Sequence, residues 1–185
     1  MDSFNEDDRI IHKEILFKSI RYLNNSDYDV RSKGMVQLRE ESKSSELARS
    51  KLRDLIYDND GCLRMLAAEA LSLTQSHPLH AIPVLRTALE VGRSMEITQT
   101  VEPWLRICLG ALFNYGDMAL STENIVWQYL YAQPNENLRL YAVQLVSRFS
   151  KVSDASLAIL CLLCQHQDSH IRNYARELMG GDINK

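Results

Sequence analysis

The stretch Asp58-Asn-Asp-Gly-Cys-Leu-Arg-Met-Leu-Ala-Ala-Glu-Ala-Leu71 has the pattern of a turn followed by a helix. Asp60 can cap the helix N-terminus, and most residues after it are strong helix formers. Weaker copies recur along the chain, and aligning them on Arg64 gives intervals of 33, 42, 33 and 33 residues. A recurrence of this length predicts a repeat protein. The aligned arginines are Arg31, Arg64, Arg106, Arg139 and Arg172.

Every copy carries the same apolar stripe on one face of its predicted helix. The positions one before, three after and seven after the arginine are apolar or small, as in Leu63, Ala67 and Leu71. Because one copy cannot bury its stripe alone, neighbouring copies must stack. Four residues before each arginine lies a residue that can cap the helix or accept from an arginine of an adjacent copy. We predict that these positions form a structural ladder, with the five arginines and with Asp27, Asp60 and Asp168.

The composition favours helix throughout the chain. The 185 residues are 45% hydrophobic, enough for one continuous core, and contain only 7 Gly and 4 Pro. We expect an all-α fold, an α-solenoid of about five helical hairpins with ten helices. Residues 1–8 are expected to be a frayed acidic segment, residues 9–180 a single domain and residues 181–185 a tail. The irregular stretch 92–100 is an insertion that accounts for the interval of 42 residues.

The spacing of an acid, three residues, Arg, two residues, a small residue and then Leu resembles the HEAT repeat, most nearly its bacterial phycobilisome-lyase-like variety. The resemblance covers roughly residues 9–180 and is clearest at Asp60–Leu71. The third copy departs most from the pattern, with Pro103 and Trp104 in its turn and Leu109 in place of the small residue. The resemblance implies an armadillo-like superhelix whose second helices line a concave face and whose Asp and Arg residues are structural.

The net charge and the length of the apolar runs argue against several classes of protein. The net charge is −3, and a duplex-binding protein would usually carry a larger basic excess, although residues 9–53 are basic overall. The acidic N-terminus is unlike a secretory signal, and no apolar run approaches the roughly 20 residues that span a bilayer. The 4 cysteines follow no disulfide framework. We therefore expect a cytoplasmic protein that binds no membrane.

The residue types of a zinc site occur together at Cys161, Cys164, His166 and His170. The two cysteines share a helical face with Leu157, so we interpret them as buried core residues. A structural zinc site usually draws its ligand pairs from separated segments. The sequence also has no glycine-rich phosphate loop and no nucleophile elbow. We expect no cofactor, no metal and no enzyme activity, although a lyase-type activity stays open.

Protein binding is the function that we expect. Tyr141 and Tyr174 occupy the same offset after their arginines, and Tyr and Arg are frequent anchors of interfaces. We expect a monomeric scaffold, adaptor or inhibitor, a toxin-neutralising immunity protein being one form, that binds another protein on its concave face. The alternatives are a bilin lyase or phycobilisome-associated factor and a HEAT-like nucleic-acid-binding or DNA-repair protein. The predicted partner-binding residues are Tyr141, Tyr174, Arg148, Arg176, Arg93, Met95 and Trp104.

Overall fold

The computed structural model of the protein describes residues 6–96, 98–132, 135–149 and 153–181. Within these ranges the chain is helical and has no strand, which confirms the predicted all-α fold class. The helices are α1 (Glu6–Leu23), α2 (Tyr28–Glu41), α3 (Glu46–Leu55), α4 (Gly61–Ser72), α5 (Pro78–Arg93), α6 (Val101–Tyr115), a 3-10 helix (Gly116–Thr122), α7 (Glu123–Ala132), α8 (Glu136–Val146), α9 (Asp154–Leu163) and α10 (Ser169–Gly181).

Short polar side chains cap the helices that follow the turns. Asp27, Asp60 and Asn135 adopt extended backbone conformations, and their side-chain oxygens accept backbone N–H groups in the first turns of α2, α4 and α8. Ser45 does the same for α3. These caps satisfy donors that a helix N-terminus leaves without a backbone partner. The turn residues therefore fix where these four helices begin.

Some helix boundaries differ from the sequence-based expectation. Helix α1 begins at Glu6, within the acidic segment that was expected to precede the helix. The insertion after α5 is shorter than predicted, because Gly92 and Arg93 still belong to that helix and α6 starts at Val101. After Gly116, which has a φ of +55°, the chain continues as a 3-10 helix that the apolar periodicity did not predict. The expected tail, apart from Gly181, lies outside the described residues.

The chain divides into two compact units, and the division falls inside α5 between Ala81 and Ile82. In the first unit α1 packs on α2, α3 packs on α4, and α2 also packs on α4. A Cβ added at Gly34 would lie 2.8 Å from the Ser19 carbonyl oxygen, so glycine permits the close approach of α2 to α1. The fully buried leucines of this unit are Leu38, Leu52 and Leu71.

In the second unit α7 packs on α8 and on α9, α6 packs on α8, and α10 packs on α8 and α9. Tyr129 is buried and donates a hydrogen bond of 2.7 Å to the Leu89 carbonyl oxygen, which ties α7 to the end of α5. The Glu123 carboxylate accepts from the Trp127 indole and from both the backbone N–H and the hydroxyl of Ser153. One carboxylate thus fixes the start of α7 to the residue that precedes α9.

Candidate functional site

Three of the aligned arginines close the turn that precedes their own helix. In each case the guanidinium Nη1 donates to the backbone carbonyl oxygens of the residues six and five positions earlier. The charged donor satisfies two carbonyls that the turn leaves without a helical partner. The bonds join Arg31 to Asn25 (3.2 Å) and Ser26 (2.9 Å), Arg64 to Asp58 (2.8 Å) and Asn59 (3.1 Å), and Arg172 to His166 (2.7 Å) and Gln167 (3.2 Å).

A second side chain completes the same turn. The residue six before the arginine accepts the backbone N–H of the capping residue four before it, and the capping residue then accepts from the helix. The sequence pattern predicted no role for this position, although Asn25 and Asp58 are short side chains with an acceptor atom close to the backbone. The acceptors are Asn25 Oδ1 (2.8 Å from Asp27 N), Asp58 Oδ1 (2.8 Å from Asp60 N) and His166 Nδ1 (3.0 Å from Asp168 N).

Ionic contacts join consecutive copies in the first unit. The Arg31 guanidinium lies 3.2 Å from the Asp60 carboxylate, so one contact links α2 to the cap of α4. At the other end of the two helices, Arg39 and Glu69 form an ion pair of 2.8 Å. The two ion pairs together hold α2 and α4 at both ends. The sequence pattern did not predict a role for Arg39.

In the second unit, other types of side chain make the contacts between consecutive copies. The amide of Asn135, the cap of α8, donates to Glu102 of α6 over 3.1 Å. Arg139 contacts the Nε2 atom of His166, which lies two residues before Asp168. The Asp168 carboxylate instead accepts the backbone N–H groups of His170 and Ile171, and these bonds lower its pKa.

The third copy lacks the arginine-closed turn. Arg106 is exposed on α6, and no hydrogen bond or ion pair of its side chain is found in the described part of the chain. Helix α6 already begins at Val101, and its preceding residue Thr100 makes no side-chain capping bond. Glu102 therefore lies inside the helix rather than before it. Arg106 does not share the contacts of Arg31, Arg64 and Arg172.

The two predicted tyrosines lie on helices that pack together. Tyr141 on α8 and Tyr174 on α10 are each half-buried, and Arg176 on α10 is exposed. Arg148, also predicted to bind the partner, lies in the turn beyond the last residue of α8. Its guanidinium carbon is 5.0 Å from the centre of the Phe113 ring, a cation–π contact with α6. Arg148 thus has a packing partner within the protein.

The remaining predicted residues flank the irregular connection between α5 and α6. Arg93 is exposed and donates a hydrogen bond to the side chain of Gln128 on α7. Met95 is 50% exposed, and Trp104 is half-buried in the first turns of α6. Among the described residues, no hydrogen bond or ring contact joins them to Tyr141 or Tyr174. They form a second, separate group of candidates.

The structure also brings together three side chains that no sequence pattern predicted to meet, Tyr57, His77 and His80; with exposed Leu79, which adjoins His80 in the chain, they are here called the turn patch. The Tyr57 hydroxyl lies 2.7 Å from Nδ1 of His80, and the two rings meet edge to face with centroids 6.1 Å apart. The His77 ring lies 6.4 Å from that of His80. Leu79 is 86% exposed and Tyr57 68% exposed. The only sequence signal for this patch is the His77-Pro-Leu-His80 stretch.

Burial raises the pKa of three titratable side chains in the core of the described residues. Burial raises the pKa of the Cys108 thiol to about 12, and it also raises the pKa of Tyr115 and Tyr129. These groups stay protonated near neutral pH and act as core residues.

The predicted burial of Cys161 is wrong. Cys161 is exposed on α9 and Cys164 is half-buried, because Leu160 and Leu163 fill the buried side of that helix. His166 and His170 lie in the turn before α10 and in its first turn. No group of three or more His, Cys, Asp or Glu side chains in the part that the structure describes could hold a metal ion.

Comparisons with family models and with curated proteins give no match to this chain. In the described ranges, no helix has the length and apolar character needed to cross a bilayer.

Proposed function

We propose that this chain is a non-catalytic protein-binding module built as a HEAT-like α-solenoid of five helical hairpins. The helix order within each unit supports this architecture. The second helix of one hairpin packs on the second helix of the next, as α2 does on α4, and as α8 does on α6 and α10. The repeated arginine turns at Arg31, Arg64 and Arg172 support one recurring structural unit.

The turn patch is the observation that supports a protein-binding function most directly. Tyr57 and Leu79 are large side chains that are exposed on this surface. The hydrogen bond between the Tyr57 hydroxyl and His80 holds the tyrosine ring in place. Exposed apolar clusters with polar neighbours are typical of interaction sites, and Tyr is enriched among the residues that dominate binding energy. Because the ring is already oriented, little side-chain freedom is lost when a partner binds.

The partner in this proposal is another protein, and the module acts by rigid presentation of side chains. A scaffold, an adaptor and an inhibitor that covers a toxin's active surface are all forms of this function. Tyr141, Tyr174 and Arg176 on α8 and α10 are the second candidate surface, since they leave part of their side chains accessible on a packed pair of helices.

Site-specific photocrosslinking in the native cell tests this proposal. A photoreactive amino acid at position 79 should capture a defined protein, while the same residue at exposed position Asn124 should not. The captured protein, once purified, should bind the wild-type chain directly in calorimetry. Leu79→Ala or Tyr57→Ala should weaken that binding at least tenfold if the turn patch is the site.

Tyr141→Ala and Tyr174→Ala provide the comparison between the two surfaces. If these two variants lose binding and the turn-patch variants do not, the binding site lies on α8 and α10, and the proposed protein-binding function still holds. Capture of no specific protein at position 79, 141 or 174 would contradict the proposed function.

A further inference from the structure

The outward side of α1 combines an exposed aromatic ring with several cations. Phe17 is 66% exposed and borders a surface cavity of about 260 Å³. The other described residues that line this cavity are Glu14, Lys18 and Arg21. Lys13 is exposed one helical turn before Phe17. These five residues are here called the α1 face.

The cations of the α1 face are not neutralised by ion pairs. Within the described part of the chain, Lys13 and Arg21 form no ion pair. The Nζ atom of Lys18 lies 5.7 Å from the centre of the Tyr22 ring, a cation–π contact that leaves the charge in place. Because Glu14 is the one carboxylate of the face, positive charge exceeds negative charge. The α1 face is therefore complementary to an anionic ligand.

Three residues of the α1 face follow one line along the helix at a regular spacing. Lys13, Phe17 and Arg21 are four residues apart, which separates them by about 6 Å along the helix axis. Alternate side chains of an extended chain lie on one side and are about 6.6 Å apart. An extended segment with the order acid, any residue, apolar residue, any residue, acid therefore places a carboxylate beside each cation and an apolar side chain against Phe17.

We propose that the α1 face binds an extended acidic segment of a partner protein in this register, with one apolar side chain in the cavity beside Phe17. The cavity of about 260 Å³ is smaller than the roughly 300–1,000 Å³ of ligand sites, so its size suits one side chain better than a cofactor. The apolar anchor supplies contact area, and the cations supply charge complementarity. This surface goes beyond the function proposed for the turn patch and does not depend on it.

The composition of the α1 face favours an acidic peptide over nucleic acid or a lipid surface. Single-stranded nucleic acids stack on successive aromatic rings, and Phe17 is the one aromatic residue of the face. A helix that lies in a membrane surface buries a broad apolar side, whereas the other four residues of the face are charged. The Glu14 carboxylate repels phosphate groups but accepts backbone N–H groups, which a peptide provides.

Peptide selection tests the proposal. The immobilised full chain is used to select from a phage-displayed library of random short peptides, and peptides that the Arg21→Glu variant also retains are removed. The remaining peptides should share the order acid, any residue, apolar residue, any residue, acid. Binding of a selected peptide, measured by fluorescence anisotropy, should weaken as the salt concentration rises, because salt screens exposed charges.

Substitutions locate the peptide on the chain. Phe17→Ala removes the aromatic contact and Arg21→Glu reverses one charge, and each should weaken peptide binding by roughly tenfold. Leu47→Ala and Arg106→Glu are the matched controls, since Leu47 is 51% exposed on α3 and Arg106 is exposed on α6. Both controls should bind as the wild type does. All four side chains are exposed, and circular dichroism should show that the four variants remain folded.

Parallel measurements distinguish the other occupants. Phosphatidylserine vesicles and a single strand of oligothymidine are tested at the same salt concentrations as the selected peptide. A selection without an acidic consensus, unchanged binding by Phe17→Ala and Arg21→Glu, or a preference for vesicles or oligothymidine would each overturn the proposal. Loss of binding in these two variants but not in Tyr57→Ala would support it, and the function proposed for the turn patch would still depend on its own crosslinking test.

Discussion

The carboxylate of Asp60 lies 3.2 Å from the guanidinium of Arg31 through one oxygen and caps α4 through the other. One side chain therefore starts a helix and binds the preceding copy of the repeat. Both side chains are partly buried, at 22% and 29% exposure, so water screens the pair less than at an open surface. The two roles can be separated by substitution.

Asp60→Ala should lower the free energy of unfolding by about 1–2 kcal/mol, since it removes both the cap and the ion pair. Asp60→Asn should have a smaller effect, below about 1 kcal/mol, because asparagine is an equally good cap but has no charge. Asp27→Ala, which removes a cap alone, is the control. Urea denaturation measures all three values. An Asn variant as unstable as the Ala variant would show that the cap contributes little.

The arginine-closed turns should be important for stability. Arg64→Met and Arg172→Met each remove a donor to two carbonyl oxygens, and each should cost about 1.5–3 kcal/mol, the range for hydrogen bonds to charged groups. Arg106→Met is the matched control, since Arg106 occupies the same repeat position but is exposed and lies outside such a turn. It should change stability by less than about 0.5 kcal/mol. Equal effects at all three positions would contradict the distinction.

The parts of the fold that could be predicted from the sequence are local ones. The cap at Asp60 and the helix that follows it are predicted by one short stretch of sequence. The repeat spacing then predicts similar turns elsewhere in the chain. Contacts between copies were harder to predict. Arg139 meets His166 rather than Asp168, and Arg148 lies against Phe113, because both contacts depend on how neighbouring helices pack. The same holds for the pairing of Tyr57 with His80.

The exposure of Cys161 was missed for a different physical reason. Periodicity identifies a buried face only when the opposite face is polar. In α9 the residues Leu157, Leu160, Cys161 and Leu163 surround the helix, so the sequence does not show which side faces the core. The exposed side of α9 and the turn patch thus became visible only with the helices in place.

Three of the four thiols should react in a fixed order. Cys161 is exposed and should react first with a thiol reagent such as DTNB. Cys62 should react more slowly, because burial and then the nearby Asp60 carboxylate raise its pKa. Cys108, whose pKa burial raises to about 12, should react only after unfolding. Mass spectrometry of the labelled peptides gives the order, and early labelling of Cys108 would contradict its burial.

The cap of α10 should contribute more to stability when Asp168 is ionised than when it is protonated. Backbone N–H groups of His170 and then Ile171 hold the Asp168 pKa below its usual value, so its contribution is complete above the unfolded-state pKa and is lost as the pH falls through the lower, folded-state value. Asp168→Asn should therefore flatten the stability curve below about pH 4. Carboxyl-carbon NMR should show the low pKa directly, and a normal titration of Asp168 would rule the effect out.

Two glycines inside helices should respond in opposite directions to the same substitution. At Gly34 in α2, a new Cβ would lie 2.8 Å from the Ser19 carbonyl oxygen and 2.9 Å from the Tyr22 Cβ, so α2 must move away from α1. Gly34→Ala should destabilise the protein by about 1–3 kcal/mol, the range for overpacking. At Gly110 in α6 a new Cβ meets no atom within 4 Å apart from its chain neighbours and its own helix backbone, so Gly110→Ala should stabilise by about 0.5–1 kcal/mol through helix propensity. Thermal and urea unfolding measure both changes, and a stabilising Gly34→Ala would show that α1 and α2 do not pack this closely.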